Sequence, residues 1–261
     1  MMNFYPEAGV NVEKYCKDSY GTIENLISLA KNGNVIAQVA LGTAYSEGVE
    51  NFVEKDVEKA IGWLNSAVDN GYFLPFVVSR LGTLLDGKGT PHYQRKAYEL
   101  YLRAAKLGCA EAQLNLAEMY RCGVEGVVSE DIKEAFGWYK KAANESESEA
   151  STDMTAVSRL LVGTMKTMGN SLGGARKKAL TLLHKYYLIG DCPEGQPQPT
   201  KAVHYLTRAA ELGDTEAQLK LGETYLNGSC EQIKDICKAK RWLGKAAASG
   251  DVMASQVSNY Y

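Results

Sequence analysis

Residues 219–228 read LKLGETYLNG and residues 238–250 read KAKRWLGKAAASG, and the rest of the chain restates this pair of phrases. The first recurs as VALGTAYSEG at 39–48, SRLGTLLDG at 79–87, LNLAEMYRCG at 114–123 and LLHKYYLIG at 182–190. Each carries a Leu, then a small residue or its substitute, and usually a Tyr three further on. The second recurs as KAIGWLNSAVDNG at 59–71, KAYELYLRAAKLG at 96–108, KEAFGWYKKAANES at 133–146 and KAVHYLTRAAELG at 201–213. Counting from Ala60, Ala97, Ala135, Ala202 and Ala239, the third residue on is Trp63, Leu100, Trp138, Tyr205 or Trp242. The seventh is Ala67, Ala104, Ala142, Ala209 or Ala246, and the eleventh is Gly in four of the five. Self-similarity at a period of roughly 20–50 residues marks a repeat architecture. Offsets of 3, 4 and 7 lie along one stripe of an α-helix, so each phrase is one helix and each pair a helical hairpin.

The small residues say how close the helices must come. Gly in a helix interior costs roughly 1 kcal/mol against Ala, so Gly42, Gly82 and Gly222 at one phase point to a packing need. Ala in the second helix removes bulk at the same contact, while Tyr or Trp fills the space beside it. Gly71, Gly108, Gly213 and Gly250 end the second helices, where a residue of positive φ lets the chain turn. Asp214 and Asp251 follow as N-caps of the next helix.

With A-x-x-x-LG-x-x-Y-x-x-G, a loop and K-A-x-x-W-x-x-x-A-A-x-x-G on the page, the chain resembles the SEL-one-like repeat family, relatives of tetratricopeptide repeats, over most of residues 35–250. The resemblance implies an all-α fold, a right-handed α/α superhelical solenoid of about five helix-pair repeats with capping helices. The repeats fall at 35–71, 72–108, 109–146, 176–213 and 214–250, with a helical insertion at 147–175. Residues 1–34 supply an N-terminal segment and a capping helix over 22–34, and 251–261 a C-terminal capping helix. Two departures stand out: the small residue becomes Ala117 in repeat three and His184 in repeat four. Residues 178–190 fit either helix type, and the first-helix reading is preferred.

In family members the first helices line a concave face, and the proteins act as adaptors or scaffolds. Tetratricopeptide-like geometry then assigns that face to residues five and two before, and two and five after, the motif Leu. These are Ile36, Val39, Thr43 and Ser46; Phe76, Ser79, Thr83 and Asp86; Glu111, Leu114, Glu118 and Arg121; Lys178, Thr181, Lys185 and Leu188; Glu216, Leu219, Glu223 and Leu226. The candidate contacts are Thr43, Ser79, Thr83, Asp86, Glu111, Glu118, Arg121, Lys185, Glu216 and Glu223. The expected partner is another protein or a peptide, with an immunity or inhibitor protein against a secreted effector as a special case. Some cysteine-rich relatives are described as penicillin-binding or β-lactamase-like enzymes. This chain has Ala where their cysteine ladder would stand, which weakens that alternative.

Composition narrows the remaining classes. A chain of 261 residues with 45% apolar content folds on its own, and a net charge of −2 gives no field that would draw it to nucleic acid. No run approaches the roughly 20 apolar residues that cross a bilayer, and the first residues lack the build of an export signal. A cytoplasmic, monomeric protein is expected, with a periplasmic or secreted one if a signal peptide was removed. The six cysteines show no CxxC spacing; Cys230 and Cys237 could pair or stay free. His92, His184 and His204 have no metal-ligand or nucleophile spacing, and no GxSxG, HExxH or phosphate-cradling glycine loop occurs, so no catalytic residue, metal or cofactor is expected. The 16 tyrosines fall mostly at the packing phase of the repeat rather than in a base-stacking array.

Overall fold

The computed structural model describes residues 21–49, 52–143, 169–230, 232 and 234–249, and among them are eleven helices and no strand. They are α1 (Ile23–Lys31), α2 (Val35–Glu47), α3 (Val57–Asp69), α4 (Pro75–Asp86), α5 (Pro91–Lys106), α6 (Ala110–Cys122), α7 (Ile132–Ala143), α8 (Gly169–Ile189), α9 (Pro199–Glu211), α10 (Thr215–Asn227) and α11 (Ile236–Ala248). Helix α1 falls within residues 22–34. Of the expected helical insertion at 147–175, residues 147–168 lie outside the described residues, as does the expected capping helix at 251–261.

The helix boundaries follow from local chemistry. Side chains of Asn34, Asp56, Asp131, Asp214 and Asp235 accept from the backbone N–H three residues on, at 2.8–3.0 Å, and satisfy one orphan donor of each first turn. Pro75, Pro91 and Pro199 open helices where a missing N–H costs nothing. At the far end of α3, Gly71 sits at φ +85°. Its N–H reaches Val68 O and the Tyr72 N–H reaches Ala67 O, a closing pair that repeats at Gly108 and Gly213.

Two compact units result: α1 to α6 fall in one, and α7, α8 from Gly173 on, and α9 to α11 in the other. In the first unit, α2 pairs with α3 and α4 with α5; α1 packs on α2, α3 on α4, α5 on α6, and the first helices α4 and α6 also touch. In the second, α10 pairs with α11 and packs on α9. Helix α8 joins α9 through stacked Tyr187 and Tyr205 rings, and α7 through Phe136 edge-on to Tyr187. Residues 178–189 are therefore the C-terminal part of a longer first helix, α8, and Gly190 follows it in a turn. The fold is an α/α solenoid of consecutive helix pairs.

The repeat phases explain the core. Ala60, Ala97, Ala135, Ala202 and Ala239 are fully buried, as are the alanines seven further on, and so are Leu41, Leu81, Leu116, Leu183 and Leu221 of the first helices. Between each alanine pair, the bulky plug is the residue four on: Leu64, Tyr101, Tyr139, Leu206 or Leu243, each 0–1% exposed. The Trp phase one residue earlier is less enclosed. Trp138 is buried, whereas Trp63 and Trp242 are half-buried, and Trp63 packs against the Leu26, Ala30, Ala37 and Leu41 cluster. A built Cβ on Gly42 would lie 2.6 Å from Leu64 Cγ, on Gly82 2.8 Å from Tyr101 Cε1, and on Gly222 2.7 Å from Leu243 Cγ. Those glycines are the room the plugs need.

Candidate partner-binding surface

The loop between the two helices of a repeat is closed by its own motif residues. In repeat one the Asp56 N–H reaches Tyr45 O at 2.8 Å, and in repeat five the Asp235 N–H reaches Tyr225 O at 2.9 Å. Lys59 and Lys238 then bridge back, pairing with Asp56 and Asp235 while sitting 5.2 Å over the Tyr45 and Tyr225 rings. The Lys59 N–H and ammonium hold the Asp56 carboxyl below its ordinary range. Repeat four keeps the device with other residues: Gln198 N–H to Tyr187 O, and Lys201 over Tyr187 paired with Glu194 of the loop at 2.7 Å. The Lys-Ala start of the second phrase and the Tyr of the first are thus one closure.

The first helices keep one flank outward. In the first unit, Thr43 of α2 is half-buried, Thr83 of α4 and Glu111 of α6 are exposed, and Asp86, Glu118 and Arg121 are half-buried. Arg121 pairs with Glu118 at 3.3 Å. Burial raises the Asp86 carboxyl above its ordinary value, against a hydrogen bond from Gln94. In the second unit, Lys185 on α8 and Glu216 and Glu223 on α10 are exposed, and Glu216 pairs with Lys220 at 2.5 Å.

One expected contact is corrected. Ser79 is fully buried, and Val39 and Leu114 at the same phase are 5% and 3% exposed, so residues two before the motif Leu serve the core of the first unit. The outward position is the next one along. Arg80 donates to Ser46 Oγ at 2.9 Å and to Glu47 at 2.6 Å across α2 and α4, and Asn115 Nδ2 approaches Thr83 Oγ1 at 3.4 Å across α4 and α6. The Tyr101 hydroxyl also donates to Thr83 Oγ1, from the hairpin partner. The template borrowed from tetratricopeptide repeats fails at this phase, while its positions two after the motif Leu, such as Thr83, Lys185 and Glu223, stay outward.

A second missed feature is the Ala-Gln of the first helices α2, α6 and α10. Gln38, Gln113 and Gln218 are buried, and each donates to the carbonyl of Ala30, Ala105 or Ala210, eight residues back, at 3.0 Å. Each adds a second hydrogen bond to a carbonyl that already accepts the Gly33, Gly108 or Gly213 N–H, and so ties the first helix to the end of the helix before it.

The three histidines are spread over the described helices. His184 is buried and bonded through Nδ1 to Ala202 O at 2.9 Å, and His92 and His204 lie against neighbouring Tyr rings on exposed positions. Among the described residues Cys109, Cys122, Cys192, Cys230 and Cys237 stand as free thiols. Among the described residues no group of three or more His, Cys, Asp or Glu could hold a metal ion, and no helix is long and apolar enough to cross a membrane.

The Sel1 repeat model matches residues 35–72, 79–109, 110–146, 178–214 and 215–251, well over half of the sequence. The chain belongs to the Sel1 repeat family. A Sel1 repeat protein from Oxalobacter formigenes has a crystal structure that superposes with a TM-score of 0.61 at 25% identity, covering 96% of this chain and 88% of its own. Among curated proteins, chitin synthase regulatory factor 3 of Schizosaccharomyces pombe is 28% identical over 225 residues, 80% of this chain and 24% of its own length. Chitin synthase regulator SKT5 of Saccharomyces cerevisiae is 26% identical over 162 residues, 62% of this chain and 19% of its own. This Sel1 repeat chain therefore spans about a quarter of the one and about a fifth of the other.

Proposed function

We propose that this Sel1 repeat chain is a non-catalytic binding module that holds a protein or peptide partner on the outward flanks of its first helices. The observation that carries the reading is the division of labour within each repeat. Second helices, capping glutamines and the Lys-Tyr closure are all spent on packing, while Thr43, Glu111, Glu118, Lys185 and Glu223 present a hydroxyl and charges that the fold does not need for its core. Mixed polar and apolar positions at helical spacing suit an elongated segment engaged at several anchors. Two curated relatives are named as regulators of an enzyme, and a binding module that acts on the activity of another protein fits that company.

The test is affinity capture with surface variants. Reversing Glu111, Glu118 and Glu223 to Lys is expected to weaken capture of the bound protein by about tenfold or more, as loss of rim and core charge contacts does. Reversing Lys106 and Arg241 to Glu on the second helices is expected to leave it unchanged. Equal capture by both sets would overturn the assignment of the first helices. A nitrocefin turnover by the purified chain would instead favour the enzyme reading.

A further inference from the structure

Helix α8 differs from the other first helices in charge. From Gly173 to Gly190 there are four cations, Arg176, Lys177, Lys178 and Lys185, and no carboxylate. Two of these cations are occupied within the fold: Arg176 donates to Ala143 O at 3.0 Å, and Lys177 to Gly213 O at 3.3 Å. The other two, Lys178 and Lys185, are exposed and have no ion-pair partner among the described residues. They stand seven apart, two helical turns or about 10 Å along one stripe. Thr181 lies between them, its hydroxyl turned back onto the carbonyls of Lys177 and Lys178. One turn beyond Lys185, Leu188 and Ile189 are 37% and 58% exposed, although apolar side chains of this size are elsewhere mostly enclosed. On α10, Glu216 is tied to Lys220 and Glu223 is the remaining exposed carboxylate of the first-helix flank.

We infer that the α8 stripe Lys178–Thr181–Lys185–Leu188 docks an acidic amphipathic helix of a partner protein. This rests on the reading of first helices as the binding flank and adds the partner's chemistry. A helix with carboxylates at i and i+7 matches the two lysines turn for turn, and an apolar residue one turn further covers Leu188 and Ile189, which removes apolar surface from water while the charges set register. A basic or neutral helix meets two unpaired ammonium groups there. An extended acidic strand, with alternating side chains, engages a seven-residue helical spacing poorly.

The experiment uses the full chain and a labelled synthetic helix bearing Glu at i and i+7 and Leu one turn beyond, followed by fluorescence anisotropy. Wild type is expected to bind this probe and to lose about tenfold in affinity at about 0.3 M salt. The variant K178E/K185E, with unchanged helical circular dichroism, is expected to lose about tenfold for the acidic probe and to gain binding of the same helix with Lys in place of Glu. Equal binding of the acidic probe by wild type and K178E/K185E overturns the inference. So does sedimentation of the chain with phosphatidylserine-containing vesicles at a strength that K178E/K185E abolishes while the peptide fails to bind, since the stripe then serves a lipid surface. If the probe fails but capture of the natural partner still depends on Glu111, Glu118 and Glu223, the binding-module reading stands and only the acidic-helix assignment falls.

Discussion

His184 occupies the position that glycine holds in repeats one, two and five, and it reaches the backbone that those glycines let come close. A carbonyl oxygen only accepts, so Nδ1 carries the proton donated to Ala202 O, and Nε2 is the atom that acid would protonate. Burial pushes the imidazole below its ordinary value, Lys220 adds to this, and the Ala202 carbonyl opposes it. The unfolded chain therefore binds the proton first. Stability from this residue is complete above about pH 6.5 and is lost as pH falls through the depressed folded value. Urea unfolding of the wild type is expected to shift to lower midpoint between about pH 7.5 and pH 5.5. H184N keeps a donor for Ala202 O without a titrating ring, and its midpoint is expected to stay level across that window. Equal slopes for the two proteins would remove His184 as the cause. The sequence marked His184 as a departure from the repeat, but not what it does there, because its role depends on a carbonyl 18 residues away.

Within one hairpin, two kinds of helical glycine can be told apart only in three dimensions. Gly42 faces Leu64 so closely that a methyl group would lie 2.6 Å from Cγ of a side chain that is itself fully buried. Gly62, on the exposed side of α3, meets nothing within 4 Å. Ala gains about 1 kcal/mol over Gly in a helix interior, whereas overpacking a full core costs about 1–3 kcal/mol. G62A is therefore expected to raise unfolding free energy by up to about 1 kcal/mol, and G42A to lower it by about 1–2 kcal/mol. Chemical denaturation of both variants checks this; a stabilising G42A would mean that Leu64 can move aside. The recurrence of Gly42, Gly82 and Gly222 in phase was legible from sequence, and so was their purpose. The plug opposite them was assigned to the Trp phase, one residue early, because Trp63 and Leu64 share the same apolar stripe and a period of 3.6 does not choose between neighbours.

Along the sequence, the features set by local chemistry were readable: five in-phase repeats, Asp N-caps and glycine turns. What stayed hidden depends on how one repeat meets the next. Ser79 reads as an outward residue from a borrowed template and is in the core, while Arg80 and Asn115, which link neighbouring first helices, give no periodic signal because their identities differ between repeats. The glutamines Gln38, Gln113 and Gln218 do recur, yet their target is the end of the preceding helix rather than anything within their own. The claim that matters for function is that partners meet first helices and not second ones. Photo-cross-linking of the captured protein tests it directly, with a photoreactive residue placed singly at Thr43, Thr83, Glu118, Lys185 or Glu223, and in a matched set at Gly62, Glu99, Gly137, His204 or Arg241, all exposed on second helices. Cross-links from the first set alone are predicted; cross-links from the second set with none from the first would contradict the account.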